Sequence, residues 1–132
     1  MLLLMLIERL VFAWLLADGD MHLSNMAVLQ LAEPGDRVLR SVRLAPVYDT
    51  LTTRVFPRLE HDRMALKLSG KNGRLKRADF LAVSATAGLR APDTYAAIDD
   101  VLERMRAAVV AIELPKLPGY GPVGRSCRDP NA

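Results

Sequence analysis

The first seventeen residues, MLLLMLIERLVFAWLLA, are apolar at every position except Glu8 and Arg9. A surface helix keeps a polar face, so a segment apolar on nearly all sides predicts a helix buried inside a larger body of protein. It is shorter than the roughly 20 residues a spanning helix needs. Two charges near its middle would cost about 2.5–3.5 kcal/mol each on insertion, and no positive stretch precedes it as a secretory signal requires. The turn chemistry of Ala17-Asp18-Gly19-Asp20 ends the helical pattern. Met26–Leu31 then reads as a strand, Pro34-Gly35-Asp36 as a turn, and Val38–Leu44 as the return strand of a hairpin closed off by Ala45-Pro46. Residues 50–62 read as a polar loop, Met64–Leu68 as a short extended piece, and Gly70-Lys71-Asn72-Gly73 as a turn. Two helices follow. One runs from about Arg77 to Ala87, with Gly88 as its terminating glycine and Phe80, Leu81, Val83 and Ala87 on its buried face. The other starts at Pro92, runs to about 114, and carries Ile98, Val101, Leu102, Met105, Val109 and Ile112 as one stripe. From 115 to 132 proline and glycine recur with few apolar anchors, which predicts a flexible tail. The expected fold is mainly α with a small β-hairpin, an α+β domain over residues 1–114.

Composition narrows the class. The chain has 132 residues, 51% hydrophobic and 25% charged, enough for one compact domain and too apolar for a disordered one. A single cysteine, Cys127, excludes a disulfide framework and a four-cysteine zinc site, and agrees with a reducing compartment. Aromatic residues at 5% supply few stacking platforms for single-stranded nucleic acid. The formal charge of +3 is uneven, because residues 50–90 hold nine Lys and Arg against three acids. That segment, from Arg54, Arg58 and Arg63 to Arg74, Lys76 and Arg77, is either a solvated face or a surface that draws phosphates or an acidic partner.

The informative stretch is Asp18-Gly-Asp-Met-His-Leu-Ser-Asn25, followed by Leu44-Ala-Pro-Val-Tyr-Asp49. Asp20 and Asn25 stand at the D-x-x-x-x-N spacing of a kinase catalytic loop, in which the carboxylate takes the acceptor hydroxyl proton and the amide oxygen faces a metal. Both groups must ride on a short rigid loop between a helix and a strand, the setting expected here. Asp49, at the end of the second strand, would be a second oxygen ligand for Mg2+. Singly, Asp20 also reads as a turn residue and Asn25 as a cap at the start of a strand; their conjunction with Asp49 across a hairpin favours the chemical reading. Other constellations fail. A calcium loop starting at Asp18 would put its glycine and glutamate on Leu23 and Leu29, and His22 with His61 has no ligand spacing. Ser24 and Ser84 lack the context of a nucleophile elbow.

On these residues the chain resembles a known family. Trp14–Leu29, Arg43–Leu51, Met64–Leu68 and Asp79–Leu81 are similar to the C-terminal kinase domain of HipA-like toxins, a resemblance covering about residues 8–112. Its most specific parts are the D-x-H-x-x-N loop and Leu-Ala-Pro-x-Tyr-Asp. The resemblance implies the C-terminal lobe of a protein-kinase-like fold, with a catalytic loop at 18–25, a hairpin at 26–44 and a metal-aspartate loop at 45–52. It further implies a cytoplasmic serine/threonine kinase of a toxin–antitoxin system, using Mg2+ and ATP on a protein substrate. Asp20 would then be the base, with His22 setting the loop's geometry and Asn25 and Asp49 holding magnesium and nucleotide. The implied partner is an antitoxin, with nucleic acid reached only through it and no membrane involved.

The family's phosphate loop and nucleotide-anchoring lysine precede its catalytic loop, and only 19 residues precede Asp20, so an incomplete ATP site lacking the N-terminal lobe is expected. Gly70-Lys71-Asn72-Gly73 does not have the spacing of a P-loop. Two other readings stay open. The loop Gly19-Asp-Met-His-Leu-Ser-Asn25 also looks like that of aminoglycoside and choline kinases, and an inactive remnant could act as a protein-interaction module.

Overall fold

A computed structural model describes residues 1–35 and 37–112 of the chain. Helix α1 (Leu2–Leu16) leads into the hairpin of β1 (Val28–Leu31) and β2 (Ser41–Leu44); a long connection then reaches α2 (Arg77–Thr86) and α3 (Ala91–Ala111). The described residues are therefore mainly helical, with a two-stranded antiparallel sheet in the register Val28 to Leu44 and Leu31 to Ser41. The tail expected at 115–132 lies outside the described residues. None of the described helices is long and apolar enough to cross a membrane.

Helix α1 is the centre of the molecule, touching α2, α3 and β2. Its Ile7, Leu10, Val11 and Ala13 are buried against Phe80 of α2 and Ile98 and Val101 of α3. Met21, Met64, Leu68 and Leu75 close the same core from the connecting segments. Trp14 meets Phe80 edge-on, with ring centroids 5.8 Å apart, a geometry that adds about 0.5–1.5 kcal/mol to the area the rings bury. The expected all-round burial of α1 holds only in part, since Leu3 and Met5 at its start are exposed.

Arg9 is the polar exception within this core. Only 8% exposed, it donates through Nη2 to the carbonyl of Ala45, while Nη1 has no partner among the described residues. Burial lowers its pKa, and the nearby Tyr48 opposes that shift. The contact fastens the end of β2 to the middle of α1, so the hairpin, otherwise mostly exposed, leaves the core at a fixed point.

Both main helix ends follow from local chemistry. After α2, Gly88 adopts a positive φ of 73°, its N–H donating to Ala85 O and that of Leu89 to Ser84 O, a Schellman closure. The same closure ends α1 without a glycine: Ala17 sits at φ 53°, and the N–H groups of Ala17 and Asp18 reach Trp14 O and Ala13 O.

Several local expectations change. Met26 is not in β1, because its N–H closes a 3-10 turn onto Leu23 O. The extended piece at Met64–Leu68 reduces to one isolated pairing of Leu68 with Lys71 around Ser69 and Gly70, both at positive φ as in a primed two-residue turn. Ala87 is exposed. Helix α3 stops at Ala111, and its stripe outruns its partners: Ile98 and Val101 are buried, whereas Val109 is 68% and Ile112 63% exposed. Ile98→Ala should accordingly cost about 2–5 kcal/mol in urea unfolding, and Val109→Ala about 0.5 kcal/mol or less. Equal losses at the two positions would contradict this packing.

Candidate functional site

The closure at Ala17 turns the chain out of α1 and starts the loop that bears the candidate residues. Asp18 is fully buried and its Oδ1 accepts the N–H of Asp20 at 3.2 Å, an Asx turn. Its carbonyl accepts the N–H groups of Met21 and Ala65, so one residue fixes the loop both locally and to the later connection. Gly19 is needed for contact. A Cβ there would lie 2.0 Å from Asp62 Oδ2 and 2.4 Å from Thr53 Oγ1. The Gly19 N–H donates to Thr53 Oγ1 at 3.2 Å, and that hydroxyl donates to Asp62 Oδ2 at 2.7 Å. The Thr53 and Arg63 hydrogen bonds, with Arg54 close by, hold the Asp62 carboxyl below its usual range.

Asn25 draws the rest together. It is 4% exposed and ends the 3-10 turn of Leu23–Asn25, its N–H donating to His22 O. Its Nδ2 donates to Asp20 O at 3.1 Å and to Asp49 O at 3.5 Å, the latter at the edge of hydrogen-bond range. Asp49 can present that carbonyl because it adopts φ 53°, a conformation aspartate tolerates better than most residues. Tyr48 adds a second tie by donating its hydroxyl to Ser24 O at 2.8 Å. With Nδ2 spent on carbonyls, the amide oxygen of Asn25 is the atom left to meet a cation. The side chains of Asp20, His22 and Asp49 are exposed.

Asp20, Asn25 and Asp49 are thus brought into one neighbourhood, while His22 contributes its carbonyl to the turn. The carboxylates also act on one another: burial raises the Asp18 pKa, hydrogen bonding from the Asp20 and Leu51 backbone lowers it, and repulsion from the charges of Asp20 and Asp49 raises it again. Asp18 Oδ2 has no hydrogen-bond partner among the described residues. Among those residues, no three His, Cys, Asp or Glu side chains group closely enough to enclose a metal. Magnesium bound with a nucleotide takes only one or two protein oxygens, with phosphates and water as its other ligands, and Asn25 with Asp49 fits that chemistry.

The HipA-like C-terminal domain family matches residues 2–109. The chain belongs to that family. No curated protein matches the chain, and no solved structure does. In this HipA-like domain the match spans α1, the hairpin, the 45–75 connection, α2 and nearly all of α3.

Sequence reasoning passed over Thr53 and Asp62, and gave Asp18 and Gly19 no role beyond the turn and the loop motif. Thr53 and Asp62 carry no local signal, since Thr53 meets Gly19 across 34 positions. Gly19→Ala should destabilise the HipA-like domain by about 1–3 kcal/mol in chemical denaturation, because neither Asp62 nor Thr53 can withdraw without giving up the other. A second expectation concerns pH. The native state holds the Asp18 proton more tightly than the unfolded chain, so its contribution to stability falls as pH rises from the ordinary 3.8 through the raised native value. Asp18→Asn should therefore be more stable than the parent at pH 7, with a gain that shrinks on acidification; urea titrations across that range test the sign.

Proposed function

We propose that this domain is the catalytic-loop lobe of a HipA-like serine/threonine kinase, which transfers the γ-phosphoryl group of Mg-ATP to a protein hydroxyl. The observation that carries the reading is the Asn25 side chain, which joins the backbones of Asp20 and Asp49 across the hairpin. In this reading the exposed Asp20 carboxylate orients the acceptor hydroxyl and takes its proton. Asn25 Oδ1 and the Asp49 carboxylate are the oxygens for magnesium, which would neutralise charge on the transferred phosphate. His22 shapes the loop through its carbonyl. The rest of the nucleotide site would come from an N-terminal lobe, and the partner in the cell would be an antitoxin.

Placement of Asp20 supports the base assignment in a specific way. Its N–H is held by Asp18 and its carbonyl by Asn25, so its backbone is tied on both sides while its side chain stays open to an incoming substrate. Such tying of the backbone is what orientation of a catalytic group requires.

Calorimetry of Mg-ATP on a complete enzyme bearing this lobe, beside its Asp49→Ala variant, is the direct test. Binding by the parent that is lost in the variant is expected; equal binding by both would remove Asp49 from the site. In a complete enzyme bearing this lobe, Asp20→Asn should lower the rate of phosphoryl transfer by at least about 100-fold, in line with loss of a general base, with the melting temperature unchanged. Normal turnover in that variant would sink the base assignment.

A further inference from the structure

One pocket is lined by none of Asp20, Asn25 and Asp49. Its volume is about 370 Å³, and it opens between the end of α1 and the connection that precedes α2. Trp14, Leu15 and Met64 supply apolar lining, and three arginines, Arg54, Arg63 and Arg74, line the same pocket. The basic excess of residues 50–90 is thereby divided. Lys71 is paired with Asp79 and Arg77 with Asp99, whereas neither Arg63 nor Arg74 has an ion pair with a carboxylate among the described residues. Arg54 uses its Nε on the carbonyl of Asp62. The nearby Asp62 carboxylate is already engaged, Oδ2 by the Thr53 hydroxyl and Oδ1 by the Arg63 N–H.

The position of Arg63 depends on a glycine. A Cβ on Gly73 would stand 2.5 Å from Arg63 Nη1 and 2.8 Å from its Cδ, so the arginine lies across the bare backbone of Gly73. Arg74 follows directly at φ 52°, a left-handed conformation unfavourable for a long side chain. That backbone cost falls on a residue that lines the pocket.

We propose that this pocket binds a phosphoserine or phosphothreonine side chain on a protein segment. Arginine forks match phosphate oxygens in paired hydrogen bonds, and more than one cation is needed to neutralise a dianion. The cavity falls in the range of small-ligand sites and its apolar lining would cover the carbon atoms and a neighbouring side chain of the phosphorylated segment, which a free phosphate does not have. The inference does not rest on the kinase reading, because none of the residues assigned to that chemistry lines the pocket.

Trp14, the single tryptophan, lines the pocket and reports occupancy directly. The full chain is titrated at constant ionic strength with a capped pentapeptide holding one phosphoserine between apolar residues, with its unphosphorylated form, and with inorganic phosphate. A saturable change in Trp14 fluorescence with the phosphopeptide alone is expected. Affinity should fall at least tenfold in the double variant Arg63→Ala/Arg74→Ala, both positions being exposed, with circular dichroism unchanged. Gly73→Ala, which keeps every charge but moves Arg63, should weaken binding severalfold, and Asp49→Ala should leave it intact. No saturable signal with the phosphopeptide, or one unchanged in the double variant, would overturn the site. Inorganic phosphate binding as tightly as the peptide would overturn the phosphoprotein assignment.

Discussion

The contact on which the arrangement depends is the approach of the Thr53–Asp62 pair to Gly19. Hydrogen bonds from the Gly19 N–H to Thr53 and from Thr53 to Asp62 join the first turn after α1 to a segment more than thirty residues later. The Ala65 N–H donating to Asp18 O extends the junction by one more bond. A buried turn carries backbone groups that water cannot reach, so these partners are required as well as geometrically convenient. Because the turn is held from the far side, the Asp20 to Asn25 loop is constrained on one flank by α1 and on the other by the 53–65 connection. Asn25 then needs only two carbonyl contacts to bring Asp49 to the same place.

The two flanks differ in the force that holds them. On the α1 side the constraint is apolar: Leu10, Val11, Phe80 and Ile98 leave the helix little freedom to rotate, and close-packed interiors yield little to small displacements. On the connection side it is polar and cooperative, since Thr53 accepts from one group and donates to another. Arg9 belongs to both kinds. Its stem lies in the helix that organises the core, and its Nη2 holds Ala45 at the end of β2, four residues before Asp49.

What could be read from the chain, and what could not, follows the range of the interactions. Gly88 and Pro92 announced the end of α2 and the start of α3 because helix termini are decided by a few neighbouring backbone groups. The loop from Asp18 to Asn25 and the hairpin after it were legible for the same reason. Periodicity misled at the end of α3, where Val109 and Ile112 continue the stripe that Ile98 and Val101 begin but have no opposing surface among the described residues. A stripe reports which face is apolar and is silent on how far its partner extends. Thr53, Asp62 and the Arg63 to Gly73 contact were invisible, since each pairs residues that only the fold makes neighbours.

Asp18 brings the energetic and chemical sides together. A buried carboxylate with one unpartnered oxygen, near two further carboxylates, is a cost that a stability-driven sequence would remove with an amide. The residue nevertheless organises the turn through its other oxygen and its carbonyl, so part of its cost is the cost of placing Asp20. A divalent cation near Asp20 and Asp49 would offset their two negative charges and relieve the repulsion they exert on Asp18. The same side chains that strain the domain alone would then favour its loaded form, and stability would rise with ligand by mass action. Local destabilisation of this kind is the expected mark of a site whose charges are arranged for a partner rather than for one another.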